Sequence, residues 1–188
     1  MYQLILSNVA KHISLTEEEE LFFLSLLKLK TIKRKEFLLK EGGVSRYQTF
    51  VAKGCLRTYT IDDMGKEHIV MFSPEDWWSG DMYSFITGKP AAYTIDALVK
   101  TDIIQISKNN LEKLYEKIPK FERFFRMLFQ NAFVIYQNRI TSNLSQKANE
   151  RHKQFIKTYP GLEQKIAQKY IASFLGVTPE FYSAMKQK

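Results

Sequence analysis

The residues able to do acid–base or nucleophilic chemistry are few in this chain, and they stand apart. Asp62-Asp63 and Glu75-Asp76 are adjacent carboxylates, but both pairs fall in stretches read as turns, where short acidic side chains bind their own backbone. His12, His68 and His152 are scattered without zinc-ligand spacing, and a single cysteine, Cys55, excludes an internal disulfide. No phosphate-cradling glycine loop, HExxH, GxSxG or spaced Cys/His pair occurs. An enzyme is not expected, nor is a metal or other cofactor. The chemistry the sequence does offer is cationic. Residues 1–108 hold 14 basic and 14 acidic residues, whereas residues 145–188 hold eight basic and three acidic, within a net charge of +8. A neutral front and a basic tail point to a polyanion as the partner of the tail.

The tail also carries an ordered pattern. In QKYIASFLGVTPEF, Ile171, Ala172 and Leu175 form the inward face of a short helix, and Gly176 closes it at a tight turn. Thr178 is suited to cap the next helix, Pro179 to its first position and Glu180 to its first turn. Two short helices joined by a glycine-containing turn are the helix-turn-helix signature. Ahead of them SQKANERHKQFIKTYP reads as a basic amphipathic helix ending at Pro160.

The elements that position this tail follow from hydrophobic pattern. Hydrophobic residues make up 45% of the 188, enough for a packed core, and no apolar run is long enough to span a bilayer. The N-terminal MYQLILSNVAKHI lacks the features of a signal peptide, so a reducing cytoplasm is the expected location, with no membrane partner. Thr16 with Glu17–Glu20 and LFFLSLLKL reads as a helix with a capping box through Glu19. From Thr31 to Ser107, short runs rich in β-branched and aromatic residues alternate with glycine turns, indicating an antiparallel sandwich or barrel. A short helix follows from Lys108. Then PKFERFFRMLFQNAFVIYQNRITSNL, Pro119 to Leu144, reads as one long helix, apolar over most of its circumference and so buried on more than one side. Phe121, Phe124, Phe125, Leu128, Ala132 and Ile135 share its broadest apolar face and are the expected dimer contact.

This order of helix, about eight strands, short helix, long helix and helix-turn-helix resembles the CRP/FNR-type bacterial transcription regulators. The resemblance covers nearly the whole chain and takes the form of a short version, with no room after the second tail helix for a β-wing. It implies an α+β fold: a cyclic-nucleotide-binding-like jelly roll over 1–118, a long dimerisation helix over 119–144, and a helix-turn-helix domain over 145–188. It further implies a homodimer on double-stranded DNA, its two recognition helices about 34 Å apart in successive major grooves.

Members that bind cyclic nucleotides hold the ribose with a Gly-Glu-Leu turn and the phosphate with an Arg-Ser pair. Aligned without a gap, Gly80, Asp81 and Met82 fall on the turn, and Ala91 and Ala92 on the pair. Neither alanine supplies a cation or a hydroxyl, so cyclic AMP or GMP is not expected in the family manner. The space is expected to be empty, filled by Trp77, Trp78 or Tyr93, or adapted to an unknown small effector. On the reading head, Thr178 is placed to bond a phosphate and Glu180 to accept from cytosine. Ser183 offers a weak polar contact, and Lys186 and Lys188 can serve phosphates. Of Phe181 and Tyr182, one is expected to pack on the preceding helix and the other to lie on DNA. Arginines that relatives commonly place around the glutamate are absent, with Pro179 and Ala184 in those positions. The alternative is a degenerate dimeric interaction module, or a sensor of an unknown small ligand, that does not read DNA sequence.

Overall fold

The computed structural model describes residues 2–187. The chain begins with α1 (Tyr2–Ala10) and α2 (Glu17–Ser25). Thr16 caps α2 through the expected reciprocal bonds: the Glu19 N–H donates to the Thr16 hydroxyl and the Glu19 carboxylate accepts from the Thr16 N–H. The LLKL segment after α2 is not helical. Leu27–Ile32 leaves the helix as strand β1, paired antiparallel along its length with β8 (Thr101–Ser107). Tertiary pairing outweighs the helix propensity of leucine and lysine there.

Between them lie β2 (Phe37–Leu39), β3 (Tyr47–Lys53), β4 (Cys55–Ile61), β5 (Glu67–Pro74), β6 (Trp78–Ser79), helix α3 (Met82–Thr87) and β7 (Thr94–Ala97). They form two four-stranded sheets, ordered β1-β8-β3-β6 and β2-β7-β4-β5, so that neighbours in sequence are mostly split between sheets, as in a jelly roll. The β3–β4 corner depends on Gly54. Its φ is +99°, and an added Cβ would lie 2.6 Å from the Thr101 hydroxyl and 2.8 Å from the Lys100 carbonyl. The remaining helices are α4 (Lys108–Lys117), α5 (Lys120–Ser145), α6 (Ala148–Thr158), α7 (Gln168–Leu175) and α8 (Pro179–Lys186), with a 3-10 turn at Leu162–Gln164. No helix among the described residues is long and apolar enough to cross a membrane.

The chain divides into two compact units, one of residues 1–58 and 72–130, the other of residues 59–71 and 131–188. The division departs from the boundaries expected at 118/119 and 144/145. It falls inside α5, and the hairpin between β4 and β5 groups with the C-terminal half. In the first unit a core of Ile5, Val9, Phe23, Phe50, Ile104, Ile106 and Leu111 closes around Phe121, Phe124 and Phe125 of α5. Trp78 joins it edge-on to Phe124 and Phe125, with ring centroids at 6.0 and 5.3 Å, while its indole N–H donates to Asn8 Oδ1 at 3.0 Å. In the second unit Phe155, Tyr159, Leu162, Ile171, Ala172, Leu175 and Tyr182 are buried.

Candidate functional site

The tail builds its last two helices, α7 and α8, from the residues that the sequence picks out. Ile171, Ala172 and Leu175 are 0–1% exposed and hold α7 against its unit. Gly176 ends α7 in the left-handed region at φ +69°, a conformation that a side chain would strain. Thr178 then caps α8 by accepting the Phe181 N–H at 3.2 Å, with Pro179 at the first helical position. The Thr178 hydroxyl is therefore committed in part to its own helix.

The two aromatics of α8 separate as their spacing requires. Tyr182 is fully buried; its hydroxyl donates to the Glu163 carboxylate at 2.8 Å and lies 3.1 Å from His152 Nε2. Phe181 is 54% exposed, beside exposed Glu180, Ser183 and Ala184. Lys186 differs from the expectation of a free phosphate cation. Its ammonium lies 2.8 Å from Glu163 and 5.9 Å above the Tyr182 ring, so an internal carboxylate already takes part of its charge. That ammonium, and secondly the Tyr182 hydroxyl, hold the Glu163 carboxyl below its ordinary value. Lys188 lies outside the described residues. Lys169, not singled out by the sequence, is exposed in the first turn of α7 with its ammonium 5.1 Å from the Tyr170 ring.

In the segment that the sequence aligns with the ligand turn, the carboxylate is occupied. Asp81 is 1% exposed and caps α3, accepting the Ser84 N–H at 2.8 Å with Oδ1 and the Ala92 N–H at 3.1 Å with Oδ2. Ala91 is buried and exchanges backbone hydrogen bonds with the Gly42-Gly43 turn: it donates to Gly43 at 2.7 Å and accepts from Gly42 at 2.9 Å. The Ser84 hydroxyl ties the segment further, donating to the Lys89 carbonyl and accepting the Ser45 N–H. Met82 is half-buried, its sulfur 3.1 Å from the Gln48 amide. Lys89 is exposed and does not stand in for the missing cation. A cavity of about 160 Å³ remains beside Gly80, lined by Leu39, Ser45, Arg46, Thr49 and Gln105 among others. Trp77, Trp78 and Tyr93 are not in its lining, and Trp78 belongs instead to the core under α5.

The expected dimer face needs correction. Phe121, Phe124 and Phe125 are 0, 0 and 1% exposed within the single chain, and Leu128 packs against the same core. Ala132 and Ile135 continue that face, and Ile135 lines a cavity of the second unit. At 100° per residue these positions do share one side of α5, but from Phe121 to Leu128 it is the side the protein's own core uses, while Ile135 stays 37% exposed. Another apolar stripe is left open roughly 130° around the helix. Phe133, Ile140 and Leu144 fall within about 40° of one another, and they are 62, 60 and 84% exposed, more than Val134, Ile135 or Tyr136 beside them.

Residues 29–118 match the family model described as the cyclic nucleotide-binding domain. The chain is 28% identical over 129 residues to the fumarate and nitrate reduction regulatory protein of Vibrio cholerae; the match covers 68% of this chain and spans 50% of that relative's length. Among solved structures it is similar to FixK2 from Bradyrhizobium japonicum, with a TM-score of 0.73 and 16% identity over 86% of this chain and 83% of that one. It is also similar to a protein from Eubacterium rectale named as a transcriptional regulator of the CRP/FNR family. There the TM-score is 0.69 at 18% identity, over 92% of this chain and 82% of that one. The family match shows a cyclic nucleotide-binding domain over residues 29–118, and the likeness to these solved structures shows a shared fold of jelly roll, long helix and C-terminal helices.

Proposed function

We propose that the protein is a homodimeric, DNA-binding transcription regulator whose sensor domain does not bind cyclic AMP or GMP in the family manner. The observation that carries this reading is α8: capped by Thr178, anchored by buried Tyr182, and presenting Glu180, Phe181 and Ser183 outward from a basic unit. A helix held by one aromatic, with short polar and apolar side chains on the opposite face, suits the major groove, where a carboxylate accepts from cytosine and an aromatic edge meets a thymine methyl. No arginine stands on that face, so base reading rests on Glu180, Phe181 and Ser183, while affinity rests on the lysines and falls steeply with salt. The regulatory names of the relatives agree with this reading. The dimer is assigned to the open stripe of Phe133, Ile140 and Leu144, a heptad-like seam for a second copy of the same helix.

Genomic fragments retained by the purified protein without added ligand, then sequenced, test the proposal. A shared palindromic motif supports it, the two halves reflecting the two-fold axis. Fragments without a common motif, or no retention at low salt, would move the assignment to a dimeric interaction module.

A further inference from the structure

The C-terminal unit contains a second cavity, unrelated to the jelly-roll ligand turn. It is lined by α5, α6, α7 and the middle of β5, and all of its lining belongs to this one unit. At about 80 Å³ it exceeds several-fold the roughly 10–15 Å³ that one water needs on this measure, so it admits a small organic molecule. One wall is aromatic. Phe155 and Tyr159 are buried, and their rings lie 5.5 and 5.7 Å from that of Phe174. The other wall is cationic, formed by Arg139 and Arg151, and no Asp or Glu is among the described residues lining the space. The Arg151 guanidinium donates to the carbonyls of Leu175 (2.8 and 3.2 Å) and Gln146 (2.6 Å). Arg139 donates to the carbonyls of Ile69 at 2.6 Å and Phe174 at 3.2 Å, and stacks 4.0 Å above the Phe174 ring.

We propose that this cavity binds a small aromatic carboxylate, its ring against Phe155, Tyr159 and Phe174 and its charge toward the two guanidinium groups. An apolar, aromatic-lined space with a few convergent polar groups is the usual form of a small-molecule site. Guanidinium groups held by carbonyl dipoles keep their full charge, and a carboxylate is the anion whose planar geometry matches them. Such a ligand touches α5, α6 and α7 at once, and so bears on the helix that supports the reading head. That regulatory consequence rests on the DNA-binding reading, whereas occupancy of the cavity does not.

Calorimetry on the full, DNA-free chain tests the occupancy, with benzoate as the probe and benzyl alcohol as its neutral counterpart. Saturable benzoate binding with a Kd near or below about 1 mM is expected, with benzyl alcohol weaker by roughly tenfold for want of the charge-assisted bonds. Gln154 is an exposed residue of the lining, so Gln154→Glu should leave the thermal melt unchanged yet weaken benzoate by at least about threefold through repulsion. Ser142→Trp, which fills the space from α5, should abolish binding. No saturable heat from benzoate, equal affinity for the alcohol, or undiminished binding in both variants would overturn the proposal. Since no DNA is present, such a failure would leave the DNA-binding assignment standing.

Discussion

The carboxylate of Asp81 and the backbone N–H of Ala92 are joined at 3.1 Å, linking the two stretches that the sequence aligns with the Gly-Glu-Leu turn and the Arg-Ser pair. With Oδ1 on the Ser84 N–H, both oxygens of this buried group are engaged inside the chain. The prediction is that cyclic AMP gives no calorimetric signal up to about 1 mM, a free energy no better than about −4 kcal/mol. Installing the family pair by Ala91→Arg with Ala92→Ser should not restore micromolar affinity, because Asp81 remains committed to α3. Micromolar binding by the parent protein would contradict this reading of the pocket.

For the dimer, charge is expected to act on one side of α5 only. Ile140→Lys with Leu144→Lys should give monomers by light scattering with an unchanged thermal melt, since both side chains are exposed in the single chain. Phe125→Ala should instead destabilise the fold by about 3–5 kcal/mol, as truncation of a fully buried aromatic does. A dimer that persists in the double lysine variant would remove the stripe as the interface.

The lysines of the tail should differ in their salt signature. Lys169→Gln is expected to lower the slope of log affinity against log salt by about 0.9, the value for one lost phosphate contact. Lys186→Gln should lower it by less, because Glu163 already sits 2.8 Å from that ammonium. Equal slopes would place Lys186 on a phosphate in the complex.

Glu163 also links stability to pH. Its carboxyl is held below the ordinary 4.5, chiefly by Lys186. A group with a lowered folded value adds stability that is present above its unfolded value and is lost as pH falls through the folded one. Glu163→Gln should therefore be less stable than the parent in urea unfolding at neutral pH, and the gap should narrow as pH drops below 4.5. A gap that stays constant with pH would mean that the ion pair contributes nothing.

Local codes carried much of the fold. The capping box at Thr16–Glu19, the glycine turn at Gly176, the Thr178 cap with Pro179, and the inward triad Ile171, Ala172 and Leu175 were all legible, because each depends on residues within one or two turns of one another. Strand runs are legible too, from alternation and β-branching, although Leu27–Leu29, the start of β1, reads as the end of a helix. Helices α1 and α3 were not anticipated, being short and without a strong polar–apolar period.

What the sequence alone determined, then, is the order of elements and the chemistry on offer: a basic tail with a capped pair of short helices, and a ligand turn lacking its cation and hydroxyl. Tertiary structure alone decided which partner each side chain meets. Apolarity marks Phe121, Phe124 and Phe125 for burial without saying whether their own core or a second copy buries them; the jelly roll takes them, and Phe133, Ile140 and Leu144 are left open. Likewise Lys186 reads as a free cation until Glu163, 23 residues earlier, is brought to it. Burial and pairing are set by groups distant in sequence, and no local pattern encodes them.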